Sequence, residues 1–74
     1  MKFKLGVVVP VYNEADGIER FFELLNKELG KIKSIDFELL FVNDGSNDGT
    51  GSILNGISLR NPDSLRVLNL TRNF

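Results

Sequence analysis

The segment that most constrains this chain is Leu39-Leu40-Phe41-Val42, a solid apolar run. It stops at Asn43-Asp44 and dissolves into Gly45-Ser46-Asn47-Asp48-Gly49-Thr50. Helical spacing of apolar residues resumes at Ile53, Leu54 and Ile57. Strand, glycine-rich turn and helix is the order in which open α/β sheets present a ligand crevice, beyond the carboxyl ends of parallel strands. The charge of this turn sets its chemistry. Phosphate cradles offer backbone N–H groups to an anion, whereas this turn leads with Asp44 and adds Asp48. A carboxylate accepts hydrogen bonds and repels phosphate, so the turn suits N–H or O–H groups of a ligand. A diphosphate held beside it would need a cation.

The flanking segments complete an alternating pattern. Leu5-Gly6-Val7-Val8-Val9-Pro10-Val11-Tyr12 is β-branched and apolar at successive positions, as in a parallel strand covered by helices on both faces. Pro10 cannot donate to a ladder, so a first strand is predicted over 4–10, with pairing ending near the proline. Asn13-Glu14-Ala15-Asp16 resembles a capping box with Asn13 as N-cap. Ile18, Phe21, Phe22, Leu25, Leu29 and Ile32 then recur at helical spacing, predicting a helix over 14–30 with Gly30 as the residue just past its end. Ile35 to Val42 reads as the second strand. A second helix is predicted over 49–59, capped by Ser46 or Asp48 and weakened by Gly51 and Gly56, each costing roughly 1 kcal/mol relative to Ala. Asn61-Pro62-Asp63 is a turn, and Leu65 to Leu70 alternates as a third strand.

The predicted order is β-α-β-α-β, and right-handed crossovers place the three parallel strands in spatial order 3-2-1. That is half of a doubly wound sheet. It leaves the first strand as an open apolar edge, where self-association is expected. Seventy-four residues suffice for one small unit but are short for a complete α/β enzyme. The expectation is therefore an N-terminal part of a larger domain.

Composition excludes several classes. A formal net charge of −1 offers no general attraction to nucleic acid or anionic lipid. Without cysteine there are no disulfides and no thiolate metal site, which fits a cytoplasmic location. Without histidine the commonest general base is missing. The apolar run after Lys4 is short, interrupted by Pro10 and followed by Asn13-Glu14, unlike a signal peptide. No stretch approaches the roughly 20 apolar residues of a membrane-spanning helix.

Other motifs are partial. Asp44 to Gly49 imitates the start of an EF-hand loop, but the glutamate required at its twelfth position is Asn55, and a strand precedes it. Asn69-Leu70-Thr71 fits a glycosylation sequon but falls in a predicted strand. Neither a G-x-G-x-x-G nor a Walker A pattern occurs. A receiver-like fold would want paired acids after strand one and an aspartate after strand three, where Asn69 and Thr71 stand. What remains is a constellation at the ends of strands one and two: Pro10, Tyr12, Asn13, Glu14, Asp44, Gly45, Ser46 and Asp48. Tyr12 offers a flat face for a base, and Asp44 an acceptor for an imide N–H or sugar hydroxyl. The same residues also suit a structural part, the acids capping a turn and Tyr12 closing the start of the helix.

Three linked segments carry a resemblance. They are Val9-Pro10-Val11-Tyr12-Asn13-Glu14, then Phe41 to Thr50, then Asn69-Leu70-Thr71-Arg72-Asn73-Phe74. In this order and spacing the chain resembles the opening of a family 2 glycosyltransferase, nearest to the polyprenyl- and dolichol-phosphate hexose transferases. The resemblance implies the N-terminal half of a Rossmann-like GT-A domain that binds a UDP- or GDP-sugar. It implies that Tyr12 packs on the base with Pro10 shaping that wall, that Asp44 accepts from the base, that Glu14 sits near the nucleoside and that Arg72 approaches the phosphates. The complete enzyme would use Mg²⁺ or Mn²⁺ and transfer a hexose to a polyprenyl phosphate or glycan at the cytoplasmic face of a membrane. The family's metal-binding acids and catalytic base match nothing in these 74 residues, so no catalytic residue is assigned and the stretch is expected to be inactive alone. A non-catalytic nucleotide-binding or assembly module of the same half-fold is the alternative.

Overall fold

In the computed structural model, residues 3–70 are described. The elements are β1 (Phe3–Val11), α1 (Ile18–Gly30), β2 (Ile35–Asp44), α2 (Thr50–Arg60) and β3 (Leu65–Leu70). All strand pairs are parallel and the order is β1-β2-β3, which is the predicted 3-2-1 arrangement read from the other edge. The chain is thus the expected half of a Rossmann-like sheet.

Period two along each strand explains where the core sits. Val7, Val9 and Val11 of β1, Phe37, Leu39 and Phe41 of β2, and Leu65 and Val67 of β3 are all odd-numbered. All pack with Ile18, Phe22, Leu25 and Leu29 of α1 and with Ile53, Leu54 and Ile57 of α2. Phe41 is the hub. Its ring lies 6.2 Å from Phe22 in an edge-to-face arrangement and 6.1 Å from Phe21. Both helices therefore cover one face. The even-numbered positions look away, and Val8 is 64% exposed. The expectation of helices on both faces is corrected among the described residues. Two right-handed crossovers running in the same direction deposit both helices on the same side.

Pairing ends near Pro10 as expected, one residue past it, and Pro10 itself stays in register with Val42. The register runs from Phe3↔Ile35 through Pro10↔Val42 to Val11↔Asn43. The reason is parity. The Phe3 N–H donates to the Ser34 carbonyl at 2.9 Å, so odd-numbered amides of β1 point at β2. Those of Lys4, Gly6, Val8 and Pro10 point to the free edge, where the proline's missing donor costs the β1–β2 ladder nothing.

Helix α1 starts at Ile18 rather than 14, and Asn13 is not its cap. The Glu14 carbonyl instead accepts the Gly17 and Ile18 amides, at 3.1 and 2.9 Å, in a turn before the helix. Gly30 is the last helical residue, and the right-handed Lys31 follows it at the cap position. Helix α2 begins one residue later than predicted, behind the left-handed Gly49 at φ 93°. Ser46 does not cap it. Asp48 Oδ1 accepts the Thr50 N–H at 3.1 Å and takes one of the amides that the first turn leaves free.

Candidate functional site at the strand tips

Because β1 and β2 are parallel and in register, their carboxyl ends lie side by side. Val11 and Asn43 are Cα partners, so Tyr12 and Asp44 leave the sheet from positions about 5 Å apart. Tyr12 is 44% exposed and Asp44 is half-buried. Asp44 has the even parity of the uncovered face, beside Leu70 of β3 and one pleat beyond Val42, the partner of Pro10. Pro10 and Glu14 meet differently. They help to wall a cleft of about 320 Å³, completed by Val9, Val11, Gly17, Ile18 and Phe21. Tyr12 and Asp44 stand outside that cleft, at the tips themselves. Arg72 lies outside the described residues, as do Thr71, Asn73 and Phe74.

The loops after β1 and β2 are laced together. Three successive amides of the first loop are received by three side chains of the second. Asn13 N–H donates to Ser46 Oγ at 2.8 Å, Glu14 N–H to Thr50 Oγ1 at 3.0 Å and Ala15 N–H to Asp48 Oδ2 at 3.2 Å. In return Asn13 Oδ1 accepts the Asn47 N–H at 2.9 Å. Thr50 is wholly buried, and its hydroxyl donates a hydrogen bond to Asp48 Oδ1. These amides are spoken for by the protein, so this run of N–H groups is not a cradle for phosphate. That agrees with the acidic character of the turn.

Hydrogen bonding also sets the charge state of Asp48. The Thr50 hydroxyl bond, helped by bonds from the Ala15 and Thr50 amides, outweighs desolvation and holds the exposed Asp48 carboxyl below the usual aspartate range. Both Asp48 oxygens are committed to the loops. Among the described residues no group of three or more acidic side chains could hold a metal ion.

Beneath the loops runs a second polar line. Asn43, 5% exposed, accepts the Ser46 N–H on Oδ1 at 3.3 Å and donates through Nδ2 to Asn69 Oδ1 at 3.0 Å. Asn69 Nδ2 continues to Asn55 Oδ1 of α2 at 3.4 Å. The amide of the apparent sequon is thus engaged on both atoms. Asn43 and Thr50 are absent from the constellation read from the sequence, where Asn69 enters as an apparent sequon and within a motif, although parity marks both asparagines. Counting 39-41-43 and 65-67-69 puts an asparagine in the core-side register at the end of each strand; the buried Asn43 amide requires partners, and the exposed Asn69 supplies one. Gly51 is explained by the same pair. A Cβ there would sit 2.9 Å from Asn43 Nδ2 and 3.4 Å from Asn69 Oδ1.

The acid-and-glycine turn thus divides in two. Asn43, Ser46, Asp48 and Thr50 hold the loops, with Gly45 and Gly49 supplying left-handed turns at φ 72° and 93°. Asp44, the last residue of β2, has the parity of the open face. No helix among the described residues is long and apolar enough to cross a membrane.

Known proteins share this arrangement of segments. The family described as Glycosyl transferase family 2 matches residues 6–74. The chain is 41% identical over 96% of its length to a prophage bactoprenol glucosyl transferase homolog of Escherichia coli, covering 22% of that protein. It is 39% identical to the bactoprenol glucosyl transferase of Shigella phage SfX, again over 96% of the chain and 23% of the relative. It is 30% identical to an undecaprenyl-phosphate 4-deoxy-4-formamido-L-arabinose transferase of Proteus mirabilis, over 96% of the chain and 22% of the relative. The chain spans less than a quarter of the length of these relatives. With a family match over nearly all of its residues and the half-sheet that the motifs require, the chain belongs to glycosyl transferase family 2.

Proposed function

We propose that the tips of β1 and β2 hold the nucleoside of a nucleoside-diphosphate sugar, with the Tyr12 ring against the base and Asp44 accepting its ring N–H. In the complete enzyme the hexose then passes to a polyprenyl phosphate, as the names of the bactoprenol and undecaprenyl-phosphate relatives suggest. One observation carries this reading. Tyr12 and Asp44 emerge at the same end of adjacent parallel strands, directly past the Val11–Asn43 pair. An aromatic face and a carboxylate acceptor suit a nucleobase edge and are ill suited to a phosphate. Pro10 and Glu14 border the same tip and line the adjoining cleft. Arg72 follows β3 in sequence, and in this reading it meets the phosphates. Mg²⁺ or Mn²⁺ belongs to the complete enzyme, and no ligand for it is assigned here.

The test is an amide-resolved NMR titration of the chain with UDP and GDP, with the intrinsic fluorescence of Tyr12 recorded in parallel. Tyr12 is the sole tyrosine, and there is no tryptophan to obscure it. Shifts should centre on 11–13 and 43–45, with quenching of Tyr12. Asp44→Ala should weaken binding by about tenfold or more, the worth of one charged hydrogen bond. Shifts confined to the amino ends of the strands, or none at millimolar nucleotide, refute the assignment.

A further inference from the structure

We infer that Asn13 and Ser46 are positioning residues that set the spacing between Tyr12 and Asp44, a deepening that rests on the base-binding reading of the same tips. Asn13 directly follows Tyr12, and Ser46 lies two residues past Asp44. Asn13 is the sole non-glycine residue with positive φ among those described, at 50°. A residue held in that region needs its surroundings to keep it there. Two bonds do so across 33 and 34 residues of sequence, Asn13 N–H to Ser46 Oγ and Asn47 N–H to Asn13 Oδ1. The bend they fix is where the chain leaves β1, so it sets the direction from which Tyr12 departs.

Ser46 is the joint between this bend and the rest of the sheet. Its hydroxyl accepts from Asn13 while its own amide donates to Asn43 Oδ1, and Asn43 continues through Asn69 to Asn55. A single hydrogen-bonded line therefore runs from the β1 loop across the tips of β2 and β3 to α2. Asn43 is buried and bonded on both side-chain atoms, so the Ser46 end of the line is anchored. Neither Asn13 nor Ser46 needs to touch a ligand to act. Each acts through the placement of Tyr12 relative to Asp44.

The test uses the 74-residue chain in five forms: unmodified, Asn13→Asp, Asn13→Gly, Ser46→Ala and Asn47→Ala. Asn13→Asp keeps both the side-chain acceptor and tolerance of positive φ, and Asn13→Gly keeps only the second. Asn47→Ala leaves the backbone donor to Asn13 in place and serves as the control. Without nucleotide, Tyr12 ring and amide shifts should move in Asn13→Gly and Ser46→Ala, and stay put in Asn13→Asp and Asn47→Ala. With UDP or GDP, the first two should bind about tenfold more weakly while the second two match the unmodified chain. A purely structural role would lower the melting temperature without this split. Unchanged Tyr12 shifts in both Asn13→Gly and Ser46→Ala overturn the inference. If the unmodified chain binds neither nucleotide, the base-binding reading falls, and the positioning inference is decided by the nucleotide-free shifts alone.

Discussion

Two glycines of α2 predict opposite responses to the same substitution. Gly→Ala in a helix interior ordinarily gains about 0.5–1 kcal/mol, from helix propensity and a less flexible unfolded chain. At Gly56 nothing opposes that gain, since the nearest atom to a new Cβ is Arg60 Nη1 at 3.9 Å, an ordinary contact. At Gly51 the Cβ would meet Asn43 Nδ2 at 2.9 Å. A flexible side-chain end could swing away, but Asn43 is short, buried and bonded to both Ser46 and Asn69. Moving it strands a buried amide and leaving it in place overpacks the contact, and either costs about 1–3 kcal/mol. Gly51 also sits in the first helical turn, where the propensity gain is smallest. The net for Gly51→Ala is a loss of about 1–3 kcal/mol, which in a domain of this size lowers Tm by roughly 5–20 °C. Gly56→Ala should raise Tm by a few degrees. Thermal unfolding followed by circular dichroism reads both. Equal or greater stability of Gly51→Ala relative to Gly56→Ala would refute the close packing of the helix start on the asparagine pair.

Acid should loosen the loops before the core. The Asp48 carboxyl is held below its usual range in the folded chain, so the folded state binds fewer protons than the unfolded state there. Its stabilisation is complete above about pH 4 and is lost as pH falls through the lowered native value. Urea midpoints measured from pH 6 down to pH 2.5 should fall more steeply for the unmodified chain than for Asp48→Asn; parallel curves would contradict this. Phe41→Ala removes the hub ring and should cost about 3–5 kcal/mol, against a total stability of about 4–11 kcal/mol for 74 residues. A urea midpoint near that of the unmodified chain would show that the core is centred elsewhere.

What the letters alone determined is the part that local physics encodes. The apolar runs ending at Val11, Val42 and Leu70, and the helical spacing of Ile18 to Leu29 and of Ile53 to Ile57, specify five elements. Right-handed crossovers, each onto the neighbouring strand in one direction, then give the observed order of the three parallel strands. That order alone sends Tyr12 and Asp44 to one end of the sheet. Tertiary structure decided everything that depends on partners distant in sequence. Asn13 reads locally as a helix cap, yet Ser46 and Asn47, 33 and 34 residues away, hold it in a left-handed bend, so α1 starts at Ile18. Ser46 and Asp48 look like ligand groups beside Asp44 until their bonds to the Asn13 and Ala15 amides show them spent on the fold. Pro10 marks the end of β1 to within one residue, and the outward direction of its amide position is what lets the proline itself sit inside the pairing. Periodicity records which side chains share a face. It carries no information about which polar atoms meet once two loops, separated by a whole helix and strand, are brought to the same rim.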